Sequence, residues 1–369
     1  MTRKNRSEQI NESTVGIYHI SDRCVRGAFL INKKKGSHES DDDRRDWLHE
    51  RLVSLAEYFL IDIIAFAILC NHMHLILRNR PDLVEKMSNE EVIRAWWGIS
   101  PTYRRNKQPG RLTPKRLRRL LQDQDHIREC RERLSSISWF MRYLKHPLAL
   151  LANDKDKTSG HFWQARFHCR PLDSLEELLT AMVYVDLNPI RAGMANSVAD
   201  SRYTSAFNRV ESAKRRRNLQ KRNTKQAARE LKRAAKRDEA LERSDEWLTP
   251  IQMDESDAGL QMHSPKPTSP RKRASDRGLF SMETKRYLML VDFVGRVEHQ
   301  GKRGKIPADV PRLLDQLGFG TPDQWLKQYR HYTQTHAKIY HRKVNTDEEA
   351  ELVELPLIDP NKTNQDALL

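Results

Sequence analysis

The chain has 369 residues, room for two or three domains and at least one substantial core. It carries 66 Lys+Arg against 50 Asp+Glu, a net charge of +16. A field of that sign makes nucleic acid the default partner, with a basic surface kept for solubility as the plainer alternative. The four cysteines (Cys24, Cys70, Cys130, Cys169) lie far apart and form no Cys-x-x-Cys pair. They argue against a zinc ribbon or a disulfide framework and fit a reducing, cytoplasmic setting. The first residues, Met-Thr-Arg-Lys-Asn-Arg-Ser, have no apolar signal core. No run is apolar enough to cross a membrane: Leu60–Leu69 is short and contains Asp62.

In chain order, Val15–Val25 begins with alternating polarity and reads as a strand. Asp41–Phe59 reads as a helix, with three aspartates at its N-terminus and Leu48, Leu52, Leu55 and Phe59 at helical spacing. Ile61–Leu69 and His72–Arg78 read as two apolar strands joined by a tight Cys70-Asn71 turn. This β-α-β-β order is the opening of an α+β, ferredoxin-like domain with helices on one face of an antiparallel sheet. Glu90–Trp97 looks helical. Pro101–Arg119, interrupted by Pro109-Gly110 and Pro114, reads as an exposed basic insertion. Asp125–Leu151 reads as one amphipathic segment, and Gly160–Arg170 as a turn and a strand. Ser174–Leu187 is the most legible helix: Ser174 and Glu177 make a capping box, and Leu175, Leu178, Leu179 and Met182 form the apolar stripe. Asn188-Pro189 is expected to end it.

Composition shifts from Ala213. Ala213–Arg237 holds 12 Lys+Arg and one acid, as either a solvated helix or a disordered arm. Met253–Ser275 is rich in Ser, Pro and Lys and reads as a linker. Phe280–Arg342 regains helical patterning, and an acidic tail follows Asn345. The expected division is a catalytic region over 1–210 with a basic insertion near 98–135, a basic arm and linker over 211–276, a small helical accessory domain over 277–345, and a disordered tail over 346–369.

One constellation carries chemistry. His72 and His74, two apart in a strand, point to one face, and two neutral imidazoles there are half of a divalent metal site. An isolated His-x-His is more often incidental, so the rest of the chain must support it. Tyr184 and Asn188 lie one helical turn apart, with Asn188 as a further ligand through its amide oxygen. Near a metal-bound phosphodiester, a tyrosine hydroxyl becomes a competent nucleophile. Taken singly, Tyr184 reads as a packed core tyrosine and Asn188 as a helix terminator. His161 and His168, close to Trp163, fit packing or phosphate contact better than ligation.

Three blocks resemble the single-tyrosine HUH transposases, in the branch of REP-associated tyrosine transposases. Asn71–Leu77 (Asn-His-Met-His-Leu-Ile-Leu) is similar to the family's His-hydrophobic-His strand. Gly160–Phe167 (Gly-His-Phe-Trp-Gln-Ala-Arg-Phe) is similar to its G-x-x-W-Q-x-R-[FY] segment, and Tyr184–Gly193 to its Y-I-x-x-N-P-[VI]-R-A-G helix end. Tyr18–Val25 also looks like the family's opening strand. The resemblance covers roughly residues 15–210. It implies a ferredoxin-like catalytic domain, Mg²⁺ or Mn²⁺ at His72, His74 and Asn188, and Tyr184 as nucleophile. Single-stranded or hairpin DNA from repeat-element ends is the implied substrate. Trp163, Gln164, Arg166, Arg191 and the run Arg215-Arg216-Arg217 are then the DNA contacts.

Three readings compete. The first is a transposase that nicks and rejoins DNA through a 5′-phosphotyrosine. The second is a domesticated, non-catalytic DNA-binding regulator of repeat elements. The third is an unrelated His-x-His metallohydrolase, which needs further His, Asp or Lys ligands at other strand ends. Monomer and dimer are both open.

Overall fold

The computed structural model describes residues 9–31, 43–100, 110–220, 244–253, 273–298 and 309–341. The acidic tail, residues 254–272 of the expected 253–275 linker and the basic run beyond Gln220 fall outside them. Four antiparallel strands form one sheet in the order β2-β3-β1-β4: β1 Ile17–Arg23, β2 Ile61–Ile68, β3 His72–Asn79 and β4 His168–Pro171. Helices α1 (Asp43–Tyr58), α2 (Pro81–Glu85), α3 (Asn89–Ile99), α4 (Pro114–Leu121), α5 (Gln124–Leu134) and α6 (Ile137–Asp156) precede β4. After β4 come α7 (Leu175–Arg191), α8 (Ser205–Gln220), α9 (Thr284–Glu298), α10 (Asp309–Gln316) and α11 (Pro322–His341). The architecture is α+β.

Helices cover both faces of the sheet, not one. On the first face Tyr18, Ile20, Met73, Leu75 and Leu77 join Leu48, Leu52, Leu55 and Phe59 of α1 and Phe140, Leu144 and Leu148 of α6 in one core. On the second, α7 and α8 pack against β2. Burial from both sides explains why β2 is nearly continuous in apolar residues rather than alternating. Its exception, Asp62, is paired: Arg78 Nη2 lies 2.7 Å away. Ser275 donates to the same carboxylate from its backbone N at 2.9 Å. A buried charge is tolerated only with such partners, and these also fasten the 273–280 segment to the sheet.

The 125–151 segment is two helices, because Ser135 and Ser136 break it. Ser136 Oγ caps α6 by accepting from Trp139 N. Pro147 sits inside α6 and cannot bond the Tyr143 carbonyl; Arg51 Nε of α1 donates to that oxygen instead, at 3.3 Å. Helix α3 is closed by a capping box of Ser88 and Glu91.

Among the described residues one compact unit runs through Tyr329, and residues 330–341 belong to a second. Helix α9 buries Tyr287, Leu290, Val291 and Val294 and packs against α7. The two helices approach closely at Gly295, where an added Cβ would lie 3.0 Å from Leu187. Among the described residues, no helix is long and apolar enough to cross a membrane.

His49 of α1 stacks on Phe66 at 5.3 Å and lies 5.6 Å from Trp247. Burial, aided by the Arg202 charge, pushes its pKa down to about 4. The folded protein therefore resists a proton that the unfolded chain accepts near pH 6.5. This penalty is absent above pH 6.5 and grows as pH falls toward 4. Melting temperature should drop across that window, and His49→Phe should flatten the drop; an unchanged slope would assign the acid sensitivity elsewhere.

Candidate active site

The register between β1 and β3 puts three of their histidines on one face. Arg23 pairs with His72, Ser21 with His74 and His19 with Ile76, so residues 19, 21, 23, 72, 74 and 76 all face α7. The His72 and His74 rings meet edge to face, centroids 5.2 Å apart. His19, absent from the sequence-derived set, stands beside them: its Nε2 is 3.1 Å from His74 Nδ1. Burial and the Arg23 charge lower the His72 pKa to about 4, which keeps that imidazole neutral, the state a metal ligand requires.

Helix α7 lays Tyr184 across this face. The tyrosine ring lies 5.5 Å from His74 and 5.9 Å from His19, edge-on to both. Asn188 is one turn on, its Nδ2 donating to the Tyr184 carbonyl at 3.0 Å. The Arg191 guanidinium is 5.2 Å from the Tyr184 ring centroid. Burial raises the phenol's pKa, while the Arg191 charge and a hydrogen bond with the Asn188 side chain oppose the rise. The structure thus brings together His72, His74, Tyr184, Asn188 and Arg191.

Two details of α7 differ from the sequence expectation. Pro189 lies within the helix, which continues to Arg191; Ala192 N still reaches the Asn188 carbonyl at 2.9 Å, and Gly193 then turns with φ +66. A missing N–H so near the C-terminus costs one bond and leaves the last turn intact. The capping box is half formed. Ser174 Oγ accepts from Glu177 N at 3.1 Å, but the Glu177 carboxylate takes Asp173 N and Arg170.

Behind Tyr184, the helix is clamped through Asp186. This carboxylate is fully buried and accepts from Ser205 Oγ (2.5 Å), Ala206 N (2.9 Å) and Tyr287 Oη (2.5 Å). Burial pushes its pKa up, against the Arg209 charge and these hydrogen bonds. Arg209 in turn donates to the Ile64 carbonyl at 2.8 Å, joining α8 to β2. Sequence reading passed over Asp186 and Tyr287 because their pairing spans a hundred positions without a local pattern.

The remaining expected DNA contacts lie elsewhere. Trp163, Gln164 and Arg166, with Arg142, Lys145 and His161, line a 720 Å³ cavity beside α6. Lys145 pairs with Asp22, which faces away from His19, so the cavity opens on the other side of the sheet from Tyr184. The link is main-chain: Gln164 N donates to the Arg23 carbonyl at 2.9 Å. Arg215, Arg216 and Arg217 are exposed on α8, and Arg216 bonds Asp245 at 3.1 Å. His168 pairs with Ser21 across β1 and so shares the His74 face; His161 is exposed.

Among the described residues, no group of three His, Cys, Asp or Glu is placed to hold a metal ion. The donors present are two imidazoles and the Asn188 amide, whose nitrogen is engaged and whose oxygen is the coordinating atom left. Neutral nitrogen plus amide oxygen suits a divalent ion completed by water or a phosphate oxygen.

No protein-family model matches the chain, and a search of curated proteins gives no match. One solved structure, a REP-associated tyrosine transposase bound to a REP hairpin, is similar at 13% identity with a TM-score of 0.31. The match covers 56% of this chain and 82% of that one. A likeness that distant leaves the reading of the site to its own geometry.

Asp186→Ala should destabilise the fold by about 3 kcal/mol in urea unfolding, because it strands Tyr287 and Arg209 in the interior. A loss under about 1 kcal/mol would show that the clamp is not what holds α7.

Proposed function

We propose that this protein is a metal-dependent transposase with a ferredoxin-like HUH domain, which nicks and rejoins single-stranded or hairpin DNA through Tyr184. The observation that carries the reading is the contact of the Tyr184 ring with the histidine-bearing sheet face, 5.5 Å from His74. Two segments distant in sequence meet there with a nucleophile and a ligand pair. The strand order β2-β3-β1-β4 supports the ferredoxin-like assignment.

In the reaction, the Tyr184 phenolic oxygen bonds to a phosphorus of the DNA backbone. The bond from that phosphorus to the 3′ oxygen breaks. The product is a 5′-phosphotyrosine and a 3′ hydroxyl, which takes its proton from solvent; the phenol proton leaves to solvent or base. Attack by a free 3′ hydroxyl reverses the step and rejoins DNA without ATP. Arg191 lowers the cost of the phenolate and offers charge to the phosphate. Asn188 hydrogen-bonds the phenol and, with His72 and His74, would hold Mg²⁺ or Mn²⁺. That ion supplies charge neutralisation at the phosphoryl oxygens. The basic α8 face and the Arg166 side of the cavity bind backbone phosphates, without reading sequence.

The non-catalytic regulator is the second reading, and one observation favours it: Tyr184 is only 5% exposed. The two are separated with labelled hairpin DNA from repeats flanking the gene. Wild type should form a metal-dependent covalent adduct, and Tyr184→Phe should bind the DNA equally but form none. His72→Ala should lose the metal-dependent step. Because burial raises the phenol's pKa, adduct formation should accelerate from pH 7 to 9 without a plateau, and Arg191→Ala should slow it across that range. Wild-type cleavage by Tyr184→Phe contradicts the assignment, and binding without any adduct selects the regulator.

A further inference from the structure

The structure assigns His19 as a positioning residue for His74: we infer that His19 accepts the Nδ1 proton of His74 and so places the His74 lone pair on Nε2. The inference rests on the metal-site reading of His72 and His74. His19 and His74 are 2% and 1% exposed, and His19 Nε2 lies 3.1 Å from His74 Nδ1. Two imidazole nitrogens at that distance share one proton, so one ring donates and the other accepts. If His74 donates, its Nε2 is the atom that can ligate. The alternative tautomer puts hydrogen on Nε2 and blocks it.

His72 has the matching arrangement. Its Nδ1 is 2.6 Å from Asn71 Oδ1. Asn71 Nδ2 donates to the Gly27 carbonyl at 2.9 Å, which turns the amide oxygen toward the ring. Asn71 is thus the acceptor for His72, and His72 also presents Nε2. The δ-nitrogen of each ligand histidine therefore faces a neighbouring residue fixed in the fold, the arrangement that sets ring orientation and basicity in metal sites. An imidazole differs from the usual carboxylate partner in carrying no negative charge. It orients His74 without adding negative charge where a phosphodiester must approach. With Nε2 accepting, the hydrogen of the neutral His19 ring sits on Nδ1, so in this arrangement it orients a ligand and is not a third ligand itself.

The test is Mn²⁺ binding to the full-length chain without DNA, followed by the paramagnetic resonance of free ion and by calorimetry. Wild type should bind one ion per chain and His72→Ala should not. His19→Leu should bind roughly 10- to 100-fold more weakly, and His19→Gln, whose amide oxygen can accept the same proton, should regain most of the affinity. Wild-type affinity in His19→Leu, with binding lost in His72→Ala, overturns the inference while leaving the metal site standing. No binding by wild type overturns both. A second measurement needs neither metal nor a variant: ¹⁵N resonances of the histidine rings in the metal-free protein should show His74 protonated at Nδ1. A proton on its Nε2 overturns the inference whatever the metal data say.

Discussion

The buried carboxylate of Asp186 is the constraint on which the site depends. Two residues in a helix are separated by about 200° of rotation, so Asp186 points away from the sheet as Tyr184 points toward it. Ser205, Ala206 and Tyr287 hold that carboxylate from α8 and α9. The helix is thus fixed from behind, and its front residue comes to rest on the histidine rings. A desolvated carboxylate is costly unless every partner is present, so the packing of three helices is coupled to one side chain. This gives the region beyond 277 a physical role: it completes the support of α7.

The histidine face shows a second coupling, between burial and chemistry. Burial, with the Arg23 charge, drives the His72 pKa down to about 4, and burial raises that of Tyr184. The first effect keeps the imidazole neutral, the state that the proposed metal site would need. The second keeps the phenol protonated, so the proposed nucleophilic role would depend on nearby positive charge, and the Arg191 guanidinium lies against the ring. The same enclosure strengthens each electrostatic interaction within the site.

Much of this was legible in the sequence because it is periodic or local. The β2–β3 hairpin, the first strand, α1 with Leu48, Leu52, Leu55 and Phe59, and the start of α7 follow from alternation, helical spacing and an N-cap. Alternation along β3 puts His72 and His74 on one face. Features set by distant pairing were not legible. His19 looked like one residue of an alternating strand, and only the β1–β3 register puts it beside His74. Asp62 looked like an interruption until Arg78 and Ser275 closed around it. The cover on both faces of the sheet arises from α7 and α8, which no local pattern assigns to a face. Pro189 was read as a stop, yet the last turn continues past it to Arg191 because only one hydrogen bond is lost there.

The most direct measurement of the central claim is mass spectrometry of the protein after incubation with hairpin DNA and Mn²⁺, nuclease trimming and proteolysis. The account predicts a nucleotide 5′-phosphate attached to the peptide containing Tyr184, with fragmentation placing it on that residue. Attachment to another residue, or cleaved DNA with an unmodified Tyr184 peptide and no adduct at any time, would contradict it.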